Sequence, residues 1–172
     1  MGTLYAMAAL SIAKKNGVDV PEERMQKSVS YLKNLINTNE SLDKTFVAFG
    51  SYILSLNDAF DSPNENFLRR VSGKSTEAEM FMLLARNNSG FPVKQKVEGY
   101  IRKIFFSKAL DIITPNNYGE FNARHRYKAV ALLAANSINP DHPLAHRMAK
   151  ALLSGMESNG FWTSTSDTGW AL

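Results

Sequence analysis

The strongest constraint on how this chain can fold is an alternation between two textures of helix. One kind is apolar nearly all round: Leu4, Tyr5, Met7, Ala8, Ala9, Leu10, Ile12 and Ala13 in the first helical segment, and Phe46, Val47, Phe49, Tyr52, Ile53, Leu54 and Leu56 in the third. The fifth (Met80, Phe81, Met82, Leu83, Leu84) and the seventh (Val130, Ala131, Leu132, Leu133, Ala134) share that texture. The segments between them are one-sided. Met25, Val29, Leu32 and Ile36 line one face of the second; Val93, Val97, Tyr100, Ile101, Ile104 and Phe105 line the sixth; Leu144, Met148, Leu152 and Met156 line the eighth. A helix with no polar face must be covered on every side, whereas a one-sided helix sits at the surface. Odd helices inside and even helices outside predict concentric layers, as in an α/α toroid; a plain up-down bundle would make every helix one-sided. The inner helices open near residues 3, 42, 76, 122 and 167, a spacing of roughly 35–47 residues that fits a repeated helix pair.

The punctuation agrees with an all-α chain. No sustained period-two alternation and no Asn-Gly turn between apolar runs marks a strand. Asn16-Gly17 closes the first helix and Pro21-Glu22-Glu23 opens the second, with proline in the first turn and acids at the positive dipole end. Ser41 is the expected cap of the third. A short fourth helix is predicted over 64–71. Thr76 and Glu79 have capping-box spacing for the fifth, which Asn88 to Pro92 breaks. The sixth is expected over 93–112. The seventh should open at Asn122 and close at Asn139-Pro140, and the eighth should run from a cap at Asp141 to Asn159-Gly160.

At 172 residues, with 44% hydrophobic and 21% charged side chains, the chain has the make-up of a folded globular domain. It contains no cysteine, which removes disulfides, thiol nucleophiles, iron–sulfur clusters, cysteine zinc sites and cysteine-derived thioesters from its own chemistry. The net charge of +4 arises entirely after residue 86. The basic residues there are spaced like a solvated helix face, while a nucleic-acid stripe would need denser clusters or stacking aromatics, so no nucleic-acid partner is expected. No apolar run approaches the ~20 residues that span a bilayer. The opening residues do not pair a basic segment with an apolar one, the pattern of a signal peptide.

Four groups of residues invite a functional reading. Arg124, His125, Arg126 and Lys128 are the densest basic cluster and fall where the seventh helix begins, at one mouth of a toroid. They would contact an anion or an acidic partner, or form a solvated rim, although cations at a helix start oppose its dipole. His142 and His146 have the spacing of two metal ligands on one helical face, but Pro143 stands where a metalloprotease motif has Glu. Asp141 is better placed as a cap than as a third ligand, so no metal is expected. Asp58 and Asp61, with Glu65 nearby, could pair as catalytic carboxylates, but Asp-x-x-Asp before Ser62-Pro63 is more simply a turn. Trp162 and Trp170 could be a ligand-stacking pair or could bury their large rings as packing residues. Nothing in these patterns requires a cofactor.

The most specific segment is Gly160-Phe161-Trp162-Thr163-Ser164-Thr165-Ser166-Asp167-Thr168-Gly169-Trp170-Ala171-Leu172. It resembles the Gly-Trp, Ser-Thr-x-Asp-Thr-x-x-Ala-Leu signature in the thioester, complement-like domain of the alpha-2-macroglobulin family, in its bacterial branch. Gly160, Trp162, Ser164, Thr165, Asp167, Thr168, Ala171 and Leu172 carry the match, as structural residues. Leu4-Tyr5-Ala6 to Gly17, followed by Val20-Pro21-Glu22 and Tyr31-Leu32, resembles the family's tyrosine-alanine helix and the outer helix after it.

That resemblance implies an α/α toroid like that of terpenoid cyclases and prenyltransferases, within a periplasmic or secreted parent that traps proteases. The family's Cys-x-Glu-Gln thioester lies upstream of the tyrosine-alanine helix and maps onto no residue here. Ser164 and Asp167 have capping-box spacing with about six residues after them, fewer than the ~12–15 an isolated helix needs. The expectation is therefore a single unit over 1–172: an open arc of four helix pairs and the start of a fifth inner helix, with the thioester segment and the ring-closing helices lying outside it. Such a unit would be non-catalytic. Its partners would be proteases, through the parent, and the parent's neighbouring domains. Apolar edges at Leu4 to Ile12 and Trp170 to Leu172 would invite self-association. The alternatives are an enzyme on the same toroid, of cyclase or glycosidase type, which would need paired carboxylates in its cavity, and a helical scaffold for protein interaction.

Overall fold

A computed structural model describes residues 2–61, 76–106, 126–139 and 141–162. Among them are seven α-helices and no strand: α1 Gly2–Lys15, α2 Glu22–Thr38, α3 Lys44–Leu56, α4 Thr76–Asn88, α5 Lys94–Phe106, α6 Arg126–Ile138 and α7 Pro143–Leu153. The expected short helix over 64–71 lies outside the described residues, as does the expected start at Asn122. The chain divides into two compact units, Met1–Val93 and Lys94–Leu172.

The first unit is built around α3. Thr45 and every residue from Val47 to Leu56 are buried, and only Lys44 and Phe46, at its start, are half-exposed. Helices α1, α2 and α4 all pack on it. Its buried serines satisfy themselves on their own helix, Ser51 Oγ donating to the Val47 carbonyl at 2.8 Å and Ser55 Oγ to that of Tyr52 at 2.7 Å. Aromatic rings bridge the three helices that share the apolar texture. Tyr5 of α1 meets Phe49 of α3 at 5.4 Å, Phe49 meets Phe81 of α4 at 4.8 Å, and Phe81 meets Tyr52 at 5.9 Å, all tilted. Asp43, not Ser41, caps α3, accepting from the Thr45 and Phe46 amides at 2.8 and 3.2 Å. Ser41 is occupied in the preceding turn, where its amide and hydroxyl both donate to Asn39 Oδ1 at 3.0 and 2.7 Å.

Helix α2 buries the one face its pattern sets apart, Met25, Val29, Leu32 and Ile36. Its outer side carries the Lys27–Glu23 pair one turn apart, at 2.7 Å. The close approach of α2 to α3 depends on Gly50: a Cβ there would lie 2.6 Å from Ile36 Cδ1 and 3.3 Å from Leu32 Cδ1. Helix α1 departs from the all-round burial its composition predicts. Leu4, Met7, Ala8 and Ser11 are buried, but Leu10 and Ile12 are 46% and 43% exposed.

In the second unit α6 packs against both α5 and α7. Its buried residues are Ala129, Val130, Ala131, Ala134 and Ala135, with Leu132 and Leu133 half-buried. Small side chains let neighbouring helix axes come close. Helix α5 contributes Val97 and Ile101, and α7 contributes Met148 and Leu152. Helix α7 ends at Leu153, earlier than the expected Asn159-Gly160. The Ser154, Gly155 and Met156 amides close the last turn on Lys150, Leu152 and Leu153 carbonyls. The chain then folds back through a turn in which the Glu157 amide donates to the Phe161 carbonyl at 2.8 Å. Met156, placed by its spacing on the buried face, is consequently 43% exposed.

Two outcomes test this packing. Gly50→Val should destabilise the first unit by about 2 kcal/mol, because its branched methyls have no room beside Ile36 and Leu32. Gly50→Ala should cost less, since Ile36 Cδ1 can swing aside and alanine recovers about 1 kcal/mol of helix propensity; urea unfolding measures both. Burial also holds the Tyr52 hydroxyl above the ordinary tyrosine value of 10.0. Stability linked to it is therefore complete below pH 10 and is lost as pH rises further, when the buried ring must ionise. Tyr52→Phe should move the midpoint of alkaline unfolding upward, as followed by circular dichroism.

Candidate functional site

A concave feature lies where α1 ends, α2 begins and α3 turns out of its last residue. It is an open cavity of about 610 Å³. Met25, Val29 and Leu56 give it apolar walls, and Lys14, Lys15, Glu22, Gln26 and Asp58 give it a charged and polar rim. Sequence reasoning missed it. The available signal was the pairing of basic residues in the last turn of α1 with acidic residues in the first turn of α2. Lys14 Nζ and Glu22 form an ion pair across that junction. The hydrogen bond from Lys14, and after it the one from Gln26, lowers the Glu22 carboxyl below its ordinary 4.5. Both groups are substantially exposed, so the pair adds little to stability.

The polar floor of the cavity is internally satisfied. Ser11 Oγ donates to the Met7 carbonyl at 2.7 Å and accepts from Asn57 Nδ2 at 2.8 Å, and the same Asn57 amide group reaches the Ile53 carbonyl at 2.9 Å. Ser11 is therefore engaged in joining α1 to α3. A similar bond runs from Asn88 Nδ2 of α4 to Ser55 Oγ of α3 at 3.0 Å.

Asp58 has a backbone reason to be where it is. It stands at φ 54°, the one non-glycine residue described with positive φ. The Ala59 amide donates to the Leu54 carbonyl at 2.9 Å, which closes α3 in a Schellman turn with Asp58 in the left-handed position. Gly17 after α1 and Gly90 after α4 hold that position in the same motif, through Val18-to-Ala13 and Phe91-to-Arg86 bonds. The Arg86 guanidinium then lies 5.4 Å from the Phe91 ring centroid. Asp61 is paired with Lys33 at 2.8 Å, and Glu65 lies outside the described residues. Asp58 and Asp61 thus serve a turn and a surface ion pair.

The histidines also separate in role. His142 is the N-cap of α7, its Nδ1 accepting from the Leu144 amide at 3.1 Å. It takes the place expected for Asp141, which is exposed in the turn before it. His146 is exposed one turn later. Among the described residues no group of three or more His, Cys, Asp or Glu side chains could hold a metal ion. Of the basic cluster, Arg124 and His125 lie outside the described residues, Arg126 is the first residue of α6, and Lys128 is half-buried in its first turn.

Trp162 is 5% exposed and packs with Ala129, Leu152 and Leu132. Its Nε1 donates to the Leu152 carbonyl at 2.9 Å, satisfying a last-turn carbonyl of α7. Gly160 sits in the turn just before it, at φ 83°. Ser164, Thr165, Asp167, Thr168, Trp170, Ala171 and Leu172 lie outside the described residues. No protein family, curated protein or solved structure matches the chain.

Asp58→Gly should raise stability by about 0.5–1 kcal/mol, because glycine enters the left-handed region without the penalty an L side chain meets. Thermal melting measures this, and a lower midpoint would show that the Asp58 carboxylate is engaged in a favourable interaction.

Proposed function

We propose that this chain forms part of an α/α toroid in an alpha-2-macroglobulin-like protein, and that its contribution to trapping endopeptidases is structural and not catalytic. The observation that carries the reading is the Gly160 to Leu172 segment, with its resemblance to the family's signature. Two features of the fold support it. Helix α3, apolar on every face, is flanked by the similarly textured α1 and α4, while the one-sided α2 packs on it with its outer side exposed. Trp162, within the signature, is a packing residue closing onto α6 and α7. Among the described candidates, Asp58 and His142 serve helix ends, Asp61 forms a surface ion pair and His146 stands exposed. On this reading the parent protein acts in the periplasm or outside the cell, and the chain's direct partners are the parent's neighbouring domains.

The test uses the natural protein that carries this sequence, mixed in turn with serine, cysteine, aspartic and metallo-endopeptidases. A protease enclosed by a trap still cleaves short peptides but not large proteins. The expected outcome is at least a tenfold loss of protein-substrate cleavage with peptide cleavage retained. Unchanged cleavage of both substrates in every class overturns the reading, as does equal loss of both, which would mark an active-site inhibitor.

A further inference from the structure

We propose that His142 makes the start of α7 acid-sensitive, so that α7 and the Trp162 ring seated on it loosen as the pH falls through the range in which histidine side chains titrate. The geometry is specific. Pro143 has no amide hydrogen, so the Leu144 amide is the first free donor of the helix, and it points to His142 Nδ1 at 3.1 Å. A backbone amide can only donate, so Nδ1 must keep its lone pair for the bond to exist. A proton on Nδ1 turns the acceptor into a donor and breaks the cap. It also places a cation at the positive end of the helix dipole. Both effects act against the helix.

Helix α7 depends on its cap more than a long helix would. Its 11 residues are fewer than an isolated helix needs to persist. It is held by the cap at one end and by burial of Met148 and Leu152 along one face. Trp162 Nε1 is bonded to the carbonyl of Leu152, so motion of α7 reaches the indole directly.

The other charged and titratable groups near this end are few. Asp141 precedes it, and His146, Arg147 and Lys150 follow it on α7. Helix α6 carries no titratable side chain from Ala129 to Ile138, its charges being at Arg126 and Lys128 where it starts. Glu157 lies beyond the far end of α7, and the charged residues of α5, Lys94, Lys96, Glu98, Arg102 and Lys103, belong to a helix packed on α6. A proton on Nδ1 and the bond from the Leu144 amide exclude one another, so the start of α7 is held only while Nδ1 is unprotonated.

Thermal melts and tryptophan fluorescence at pH 7.5 and 5.5 test this on wild type, His142→Asn and His146→Asn. Asparagine caps with an oxygen that does not titrate in this range. Wild type and His146→Asn should each lose about 2–4 °C more than His142→Asn on acidification, and tryptophan emission should shift to the red with them. In amide-resolved NMR of the wild type, which does not depend on any variant folding, the Leu144 amide resonance should move over the same pH interval. The proposal is overturned if His142→Asn keeps the wild-type pH dependence, or if the Leu144 amide is unmoved between the two pH values.

Discussion

Everything in the first unit follows from the burial of α3. A helix lacking a polar face gains about 1.5–3 kcal/mol for each large side chain it hides, and it can hide them all only if other helices surround it. Helices α1, α2 and α4 do so in different ways. Helices α1 and α4 meet α3 through aromatic rings, and α2 lies over the bare backbone at Gly50. The arrangement explains why α2 needs only one apolar face while its neighbours carry more.

The ends of these helices are managed as carefully as their sides. Helices α1, α3 and α4 each terminate in a Schellman turn, with Gly17, Asp58 and Gly90 in the left-handed position. Side-chain amides from Asn57 and Asn88 then bind Ser11 and Ser55 on the adjacent helix. Buried polar groups are costly unless paired, so these bonds fix the register between helices at the same time as they satisfy the serines. The open cavity beside α1 and α3 has a satisfied polar floor for this reason, and its charged groups stand at the rim, where water reaches them.

In the second unit the balance differs. Helix α6 is buried largely through alanine, which gives less area per residue than the leucines and phenylalanines of α3 and α4. Trp162 supplies a large side chain where the helices supply small ones, and its indole N–H adds a side-chain donor to the Leu152 carbonyl, which also accepts from the Gly155 amide. The early end of α7 at Leu153 makes this possible, because the chain must reverse before residue 162 to bring the ring back.

The all-α character, the buried face of α2, the stop at Gly17 and the break between Asn88 and Pro92 were legible from the amino acids alone, because helical periodicity and helix-ending residues are local properties of a few neighbouring residues. The signature-like segment was legible too, and it carries the functional proposal. Identifying which hydrogen-bonding side chain caps a helix required the fold. Ser41 and Asp43, and likewise Asp141 and His142, are all able to cap, and the choice depends on which one the preceding turn leaves free and correctly aimed. The exposure of Leu10 and Ile12 and the early end of α7 also depended on tertiary structure. Composition states how much apolar surface a helix offers, but only the neighbouring elements decide which part of that surface is covered.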